Sequence, residues 1–331
     1  MTFDNTSVLK SKLRWNSIAK PLGGLGLLED MVSKIAGIQR TEDVSITHRT
    51  AVIMCADNGV VSEGVSQSDS RVTAQVAKEI AAGRSSVNML ANQFSTEILT
   101  VDIGIDSDIY CSNIINKKIA YGTRSIVKGP AMDPSQARKA ISNGIEIVYD
   151  LCRNGTDIII TGEMGIGNTT TSAAIASLIL GIPAEITTGR GAGLDSSGMS
   201  RKIAAIHRAI KLNKPDPTDP IDVLSKLGGF DIAGMTGLFL GGAECGIPIV
   251  IDGVISAVSA CLAEMISPGC RDFMLPSHVS NEPSARLLLE KLGLKAPINA
   301  GFHLGEGTGG IMLLPLLDGA LAVYNLSLIH I

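Results

Sequence analysis

One stretch narrows the possible folds more than any other: residues 157–180, DIIITGEMGIGNTTTSAAIASLIL. Residues 157–161 are a short β-branched apolar run of the kind that forms a buried central strand. The run breaks at Gly162-Glu163-Met164-Gly165-Ile166-Gly167, passes through Asn168 and three threonines, and enters an Ala/Ile/Leu run of helical length. Asn or Thr ahead of such a run is N-cap chemistry, so the predicted order is strand, glycine-rich loop, helix N-terminus. Sparse side chains let backbone N–H groups approach an anion, which the helix dipole also favours. The stretch reads as a phosphate seat with the Glu163 carboxylate set into it.

Three readings compete for the seat. Gly162-x4-Gly167 followed by Asn168-Thr169 nearly spells the triphosphate loop GxxxxGK[ST], but Asn168 stands where the lysine must be. That lysine bridges the outer phosphates, so its absence favours a ligand of lower charge. The dinucleotide fingerprint GxGxxG fails as well, because no third glycine follows Gly165-Ile166-Gly167. A tight strand-to-helix turn without a ligand is the bland alternative. A monophosphate ester fits best.

The rest of the chain alternates in the same way. Residues 50–56 (TAVIMCA) form a second strand ending in the polar turn Asp57-Asn58-Gly59, where open α/β sheets place ligands. Residues 72–90 read as the returning helix, with Gln75 in its first turn facing the same crevice or simply solvated. Residues 97–103 and 247–251 add strands, residues 134–152, 227–246 and 254–266 add helices, and residues 184–188 read as a further short strand. That strand enters the glycine-rich turn 189–195 (GRGAGLD), a second wall for the pocket. The helix expected over 199–212 carries Arg201 and Lys202 in its first turn, where cations gain most beside an anion. His278 in PSHVSNE reads as structural more readily than as a base, and Glu306 lies between glycines ahead of a terminal helix. The pattern predicts a Rossmann-like, doubly wound parallel sheet.

Composition removes other classes. Aromatics are only 3 % of the 331 residues, net charge is −4, and no basic block is long enough to track nucleic acid. Six scattered cysteines without a CxxC pair give neither a disulfide framework nor a zinc site, and point to a reducing, cytoplasmic compartment. The N-terminus has no apolar signal core. Pro315 and Asp318 interrupt the apolar C-terminal stretch, so no membrane partner is expected.

With GEGTG at residues 305–309 beside GEMGIGNTT, the chain resembles the nicotinate-nucleotide–dimethylbenzimidazole phosphoribosyltransferase family. KPLGGLG, ADNGVVSEGVSQ, GRGAGLD, GGFDIAGM, VIDG and SHVSNEP follow in family order. The resemblance implies a large α/β domain over 46–300, a small helical part from 1–45 and 301–331, and a homodimer. It implies Glu306 as general base; Glu163, inside the phosphate loop, reads from its position as a supporting carboxylate that organises ribose or loop N–H groups. The resemblance also implies a phosphate cradle of Gly165, Gly167, Asn168, Thr169, Lys202 and Ser280, and Gln75 against the base. Substrates would be nicotinate mononucleotide and a benzimidazole-type base, with no cofactor and no metal. This chain has Asn58, Ser284-Ala285 and His303 where the family usually has His, Gly-His and Arg, and its tail NLSLIHI lacks the usual helical ending.

The implied chemistry needs few groups. In nicotinate mononucleotide the leaving group is already a pyridinium and departs neutral, so the acid half of a glycosidase pair is unnecessary. One glutamate then takes the proton that the attacking ring sheds. A phosphoribosyltransferase using the pyrophosphorylated sugar would instead want magnesium, which a chelator would reveal. A non-catalytic nucleotide-binding module would leave Glu163 and Glu306 without work.

Overall fold

In a computed structural model that describes residues 2–191 and 193–326, six strands form one sheet. They are β1 (Arg49–Ala56), β2 (Thr96–Gly104), β3 (Ile114–Asn116), β4 (Ile158–Met164), β5 (Ile249–Ile251) and β6 (Met274–Pro276). Every pairing is parallel and the spatial order is β3-β2-β1-β4-β5-β6. This is the doubly wound α/β fold that the alternation predicted.

Before and between β1 and β2 lie α1 (Asn5–Ser17), α2 (Leu27–Gln39), α3 (Arg71–Ala81) and α4 (Ser86–Gln93). Between β3 and β5 lie α5 (Pro134–Arg153), α6 (Asn168–Leu180), α7 (Ala184–Thr187), α8 (Ser196–Asn213), α9 (Pro220–Leu227) and α10 (Phe230–Cys245). The chain ends through α11 (Val254–Ile266), α12 (Ala285–Lys291) and α13 (Thr308–Tyr324).

Strand β1 is apolar from Ala51 to Ala56 because helices cover both faces of the sheet. Val52 and Met54 pack into one core with residues of α5, α6, α10 and α11. Ala51, Ile53 and Cys55 point the other way, into a core shared with α1, α2, α3, α4 and α13. The second core joins the two chain ends: buried Trp15 lies 4.9 Å from the Tyr324 ring, and the Tyr324 hydroxyl donates to Glu42 O at 2.9 Å.

Local structure departs from the sequence reading at four places. Residues 184–187 form α7 rather than a strand. Pro183 supplies a φ suited to a helix start, and the Thr187 and Thr188 hydroxyls bond back to Ala184 O. The single helix expected over 72–90 is two, parted at Gly83 (φ +76°), after which Ser85 and Asn88 form a capping box for α4. Strand β4 runs on through Gly162, Glu163 and Met164, so the loop proper is only Gly165-Ile166-Gly167. The cap of α6 is Gly167 at φ +95°, not Asn168 or a threonine. Residues 327–331 of the C-terminal tail lie outside the described residues. No described helix is long and apolar enough to cross a membrane.

Candidate active site

The strand order reverses between β1 and β4, and parallel sheets bind ligands in the crevice outside such a reversal. Asp57 and Asn58 leave β1 there, and Glu163 to Gly167 leave β4. A cavity of about 250 Å³ opens at this end, walled by Glu163, Asp252, His278, Ser280, Glu282 and Glu306 among others. A smaller hollow of about 90 Å³ reaches Gln67, Arg190 and Lys202. The two share Gly165, Ile166, Asn168 and Thr169 as a common wall.

The common wall is built by close approach. A Cβ on Gly165 would lie 2.5 Å from Ala56 O and 2.6 Å from Asp231 Oδ2, so no other residue fits. Behind it, the buried Asn168 amide donates to both the Glu163 carboxylate and Asp231 Oδ2, the latter at 2.9 Å. Two acids gathered on one amide resist ionisation. Burial, then Asp231, push Glu163 up to about 8, against the pull of Asn168, and Asp252 and Glu306 add to the rise. Burial likewise brings Asp231 up to about 6. Part of the Glu163 side chain meets the cavity, but its carboxyl is enclosed by protein.

Glu306 arrives from the far side of the sheet. Gly305, Glu306 and Gly307 take φ of +85°, +58° and +82°, three successive left-handed residues. Glycine adopts this freely, whereas a glutamate there costs about 1–2 kcal/mol. The turn is held from below by Asp252, just past the end of β5. Its Oδ2 accepts the Gly307 N–H at 3.2 Å and its Oδ1 the Gly310 N–H at 2.8 Å. One Glu306 carboxylate oxygen, Oε2, is buried without a partner. Burial raises the Glu306 carboxyl above its ordinary range, Asp252 reinforces this, and the Val87 N–H opposes it.

Lys202 occupies the second turn of α8, since Asp195 caps a helix that begins at Ser196. The dipole reading for Arg201 and Lys202 is corrected accordingly. Lys202 is fully buried, and its Nζ donates to Thr169 Oγ1 at 2.9 Å and Gly189 O at 3.0 Å. A lysine ammonium has three donors, so one remains for an anion in the hollow.

Thus Glu163, Gly165, Asn168, Thr169, Ser280 and Glu306 line the larger cavity, and Gly167 and Lys202 the smaller. Gln75 is an exposed residue of α3 and lines neither. The sequence reading gave no site role to Asp231, Asp252 or Glu282. Asp252 carried a usable signal, a carboxylate at a strand's carboxyl end. His278, read as structural, lies buried in the wall of the cavity; its Nδ1 is 2.9 Å from Ser277 Oγ and burial lowers its pKa.

A profile of the phosphoribosyltransferase family abbreviated DBI_PRT matches residues 2–327. A relative from Ruminiclostridium cellulolyticum is 46 % identical over 316 residues, covering 96 % of this chain and 90 % of its own, and is called nicotinate-nucleotide–dimethylbenzimidazole phosphoribosyltransferase. An Escherichia coli protein of the same name is 38 % identical, covering 97 % of this chain and 90 % of its own. The crystal structure of CobT from Thermus thermophilus superposes with a TM-score of 0.93 at 33 % identity, covering 97 % of each chain.

Proposed function

The chain belongs to the nicotinate-nucleotide–dimethylbenzimidazole phosphoribosyltransferase family, and from that premise we propose which of its groups perform the transfer. The protein moves the phosphoribosyl group of nicotinate mononucleotide to 5,6-dimethylbenzimidazole or a related base in cobamide assembly. Products are α-ribazole 5′-phosphate and nicotinate. The 5′-phosphate sits in the hollow, against Lys202, Thr169 and the N–H groups that enter α6. Ribose and both rings occupy the larger cavity, with Ser280 towards the phosphate; Gln75, exposed on α3 and outside both hollows, is given no contact with the base.

Glu306 is the catalytic base. The supporting observation is the buried, unpartnered oxygen of a glutamate that sits on a strained turn and lines the cavity. An acceptor left unsatisfied in this way is completed by a ligand N–H, and the acceptor base must shed one. Fixing the phosphate across the cavity holds C1′ against the attacking nitrogen. Glu163, held mostly neutral near pH 7, adds little negative charge behind the wall that the two hollows share and holds the Asn168 amide in place. The reaction as read requires neither metal nor cofactor. We further assign the enzyme to the cytoplasm, as a homodimer.

The test is incubation with nicotinate mononucleotide and a panel of benzimidazoles, purines and phenols, with products identified by mass. An α-linked riboside phosphate is expected; release of nicotinate without any base adduct would refute the reading.

A further inference from the structure

Glu282 has no part in the chemistry above, yet it touches the same three-residue turn as Lys202. Glu282 Oε1 accepts the Gly191 N–H at 3.2 Å, while Lys202 Nζ donates to Gly189 O at 3.0 Å. The turn 189–191 is therefore clasped between an acid from the loop after β6 and a base from α8. The fit is tight: a Cβ on Gly189 would lie 2.0 Å from Glu282 Oε2, and one on Gly191 3.6 Å from Lys202 Nζ. Gly189 has no room for a side chain because the carboxylate fills it.

We propose that Glu282 is a positioning residue for the nucleotide phosphate, acting through Lys202 and the 189–191 turn. The inference rests on the phosphate seat assigned above. A lysine with no exposed surface loses its proton readily, and burial brings Lys202 down to about 8. Glu282 opposes this loss. Other charged groups around α8 are engaged elsewhere. Glu185 of α7 meets His207 at 2.8 Å, Arg201 Nε donates to Gly64 O at 3.0 Å, and Lys226 of α9 pairs with Asp222 at 2.8 Å. Arg190 shares the hollow and donates to Leu194 O at 2.6 Å. Removing the Glu282 charge thus shifts Lys202 towards its neutral form, which donates to phosphate poorly. Glu282 also lines the larger cavity, so its own repulsion of a phosphate is removed in the same step. The first effect depends on pH between 6.5 and 8.5, because burial brings Lys202 down to about 8.

Glu282→Gln keeps an acceptor for the Gly191 N–H and deletes only the charge. The full-length protein and this variant are compared at pH 6.5, 7.5 and 8.5, by KM for nicotinate mononucleotide and by calorimetric binding of the same nucleotide. The variant-to-parent KM ratio is expected at or below one at pH 6.5 and rises with pH, towards about tenfold for each unit by which the lysine's pKa falls once the pH exceeds both pKa values. The kcat stays within about twofold, and the charge-keeping Glu282→Asp shows no such rise. In a Lys202→Ala background, Glu282→Gln is expected to give no rise in KM with pH. A ratio constant with pH, or an undiminished effect without Lys202, overturns the proposal. Should Glu282→Gln not fold, Lys202→Arg, charged at every pH tested, is expected to abolish the alkaline loss of nucleotide binding; a surviving loss overturns it. If no base is ever ribosylated, the reaction reading fails, while the calorimetric arm still decides the role of Glu282.

Discussion

Glu306 and Glu163 face one cavity but are held in different ways. Glu306 has an oxygen with no partner, whereas Glu163 is bound to the Asn168 amide beside Asp231. Glu306→Gln keeps the shape and removes the basic oxygen, so kcat should fall by about 10² or more with little change in KM. Its raised pKa places an acidic limb in the parent's kcat profile above the usual glutamate range, and that limb should vanish in the variant. Glu163→Gln resembles the neutral acid and should cost less in kcat and more in nucleotide binding. Steady-state kinetics of both variants decide the matter, and the reverse order of kcat losses would refute the assignment. Stability gives a second handle on Glu163. A carboxyl whose pKa rises from 4.5 to about 8 on folding holds its proton longer in the native state. Native stability therefore declines as pH climbs from about 4.5 to about 8. Thermal melts should show Glu163→Gln close to the parent at pH 5 and higher by a few degrees at pH 8.5. An equal offset at both pH values would mean that Glu163 ionises freely.

At the scale of elements, the site depends on how closely two helices press together. Helix α10 supplies Asp231 from its first turn, and it is set against α5 by backbone-to-backbone contact. A Cβ at Gly144 of α5 would fall 2.1 Å from Gly234 O and 2.9 Å from Gly237 Cα. Backbone cannot turn aside as a side chain does, so Gly144→Ala must separate the helices. Overpacking of this kind costs about 1–3 kcal/mol or more. We expect a lower melting temperature and, because Asp231 moves with α10, a higher KM for the nucleotide. An unchanged melting temperature would mean that the crossing is looser than drawn. The 305–307 turn is the other element on which the site depends. Asp252 holds it from the end of β5, which ties the position of Glu306 to the sheet rather than to the terminal helix alone.

For the whole molecule, the crevice joins β4, α6, α8 and the 305–307 turn, which come from distant parts of the chain. Ligand that bridges them binds only the folded state, so nicotinate mononucleotide at a hundred times its Kd should add about 2.7 kcal/mol of stability. For a chain of 331 residues the melting temperature should rise by roughly 4 °C. A chelator should change neither this shift nor turnover, since a pyridinium leaves without Lewis-acid help; loss of activity with chelator would point to a metal-dependent reaction. The sequence by itself determined the sheet and the seat: unbroken apolar runs such as residues 51–56 of β1 signal burial on both faces, and Gly165-Ile166-Gly167 signals a backbone approached closely. The GEGTG turn was legible for the same reason, as glycines around a glutamate mark an unusual backbone. Only the tertiary structure decided the second helical turn for Lys202, the short helix at 184–187, and the roles of Asp231, Asp252 and Glu282. Each depends on a partner far along the chain: Asn168 for Asp231, Gly307 for Asp252, Gly191 for Glu282. Local propensity and spacing carry no trace of such pairings, because the burial that gives these carboxylates their chemistry exists only after the distant segments have packed around them.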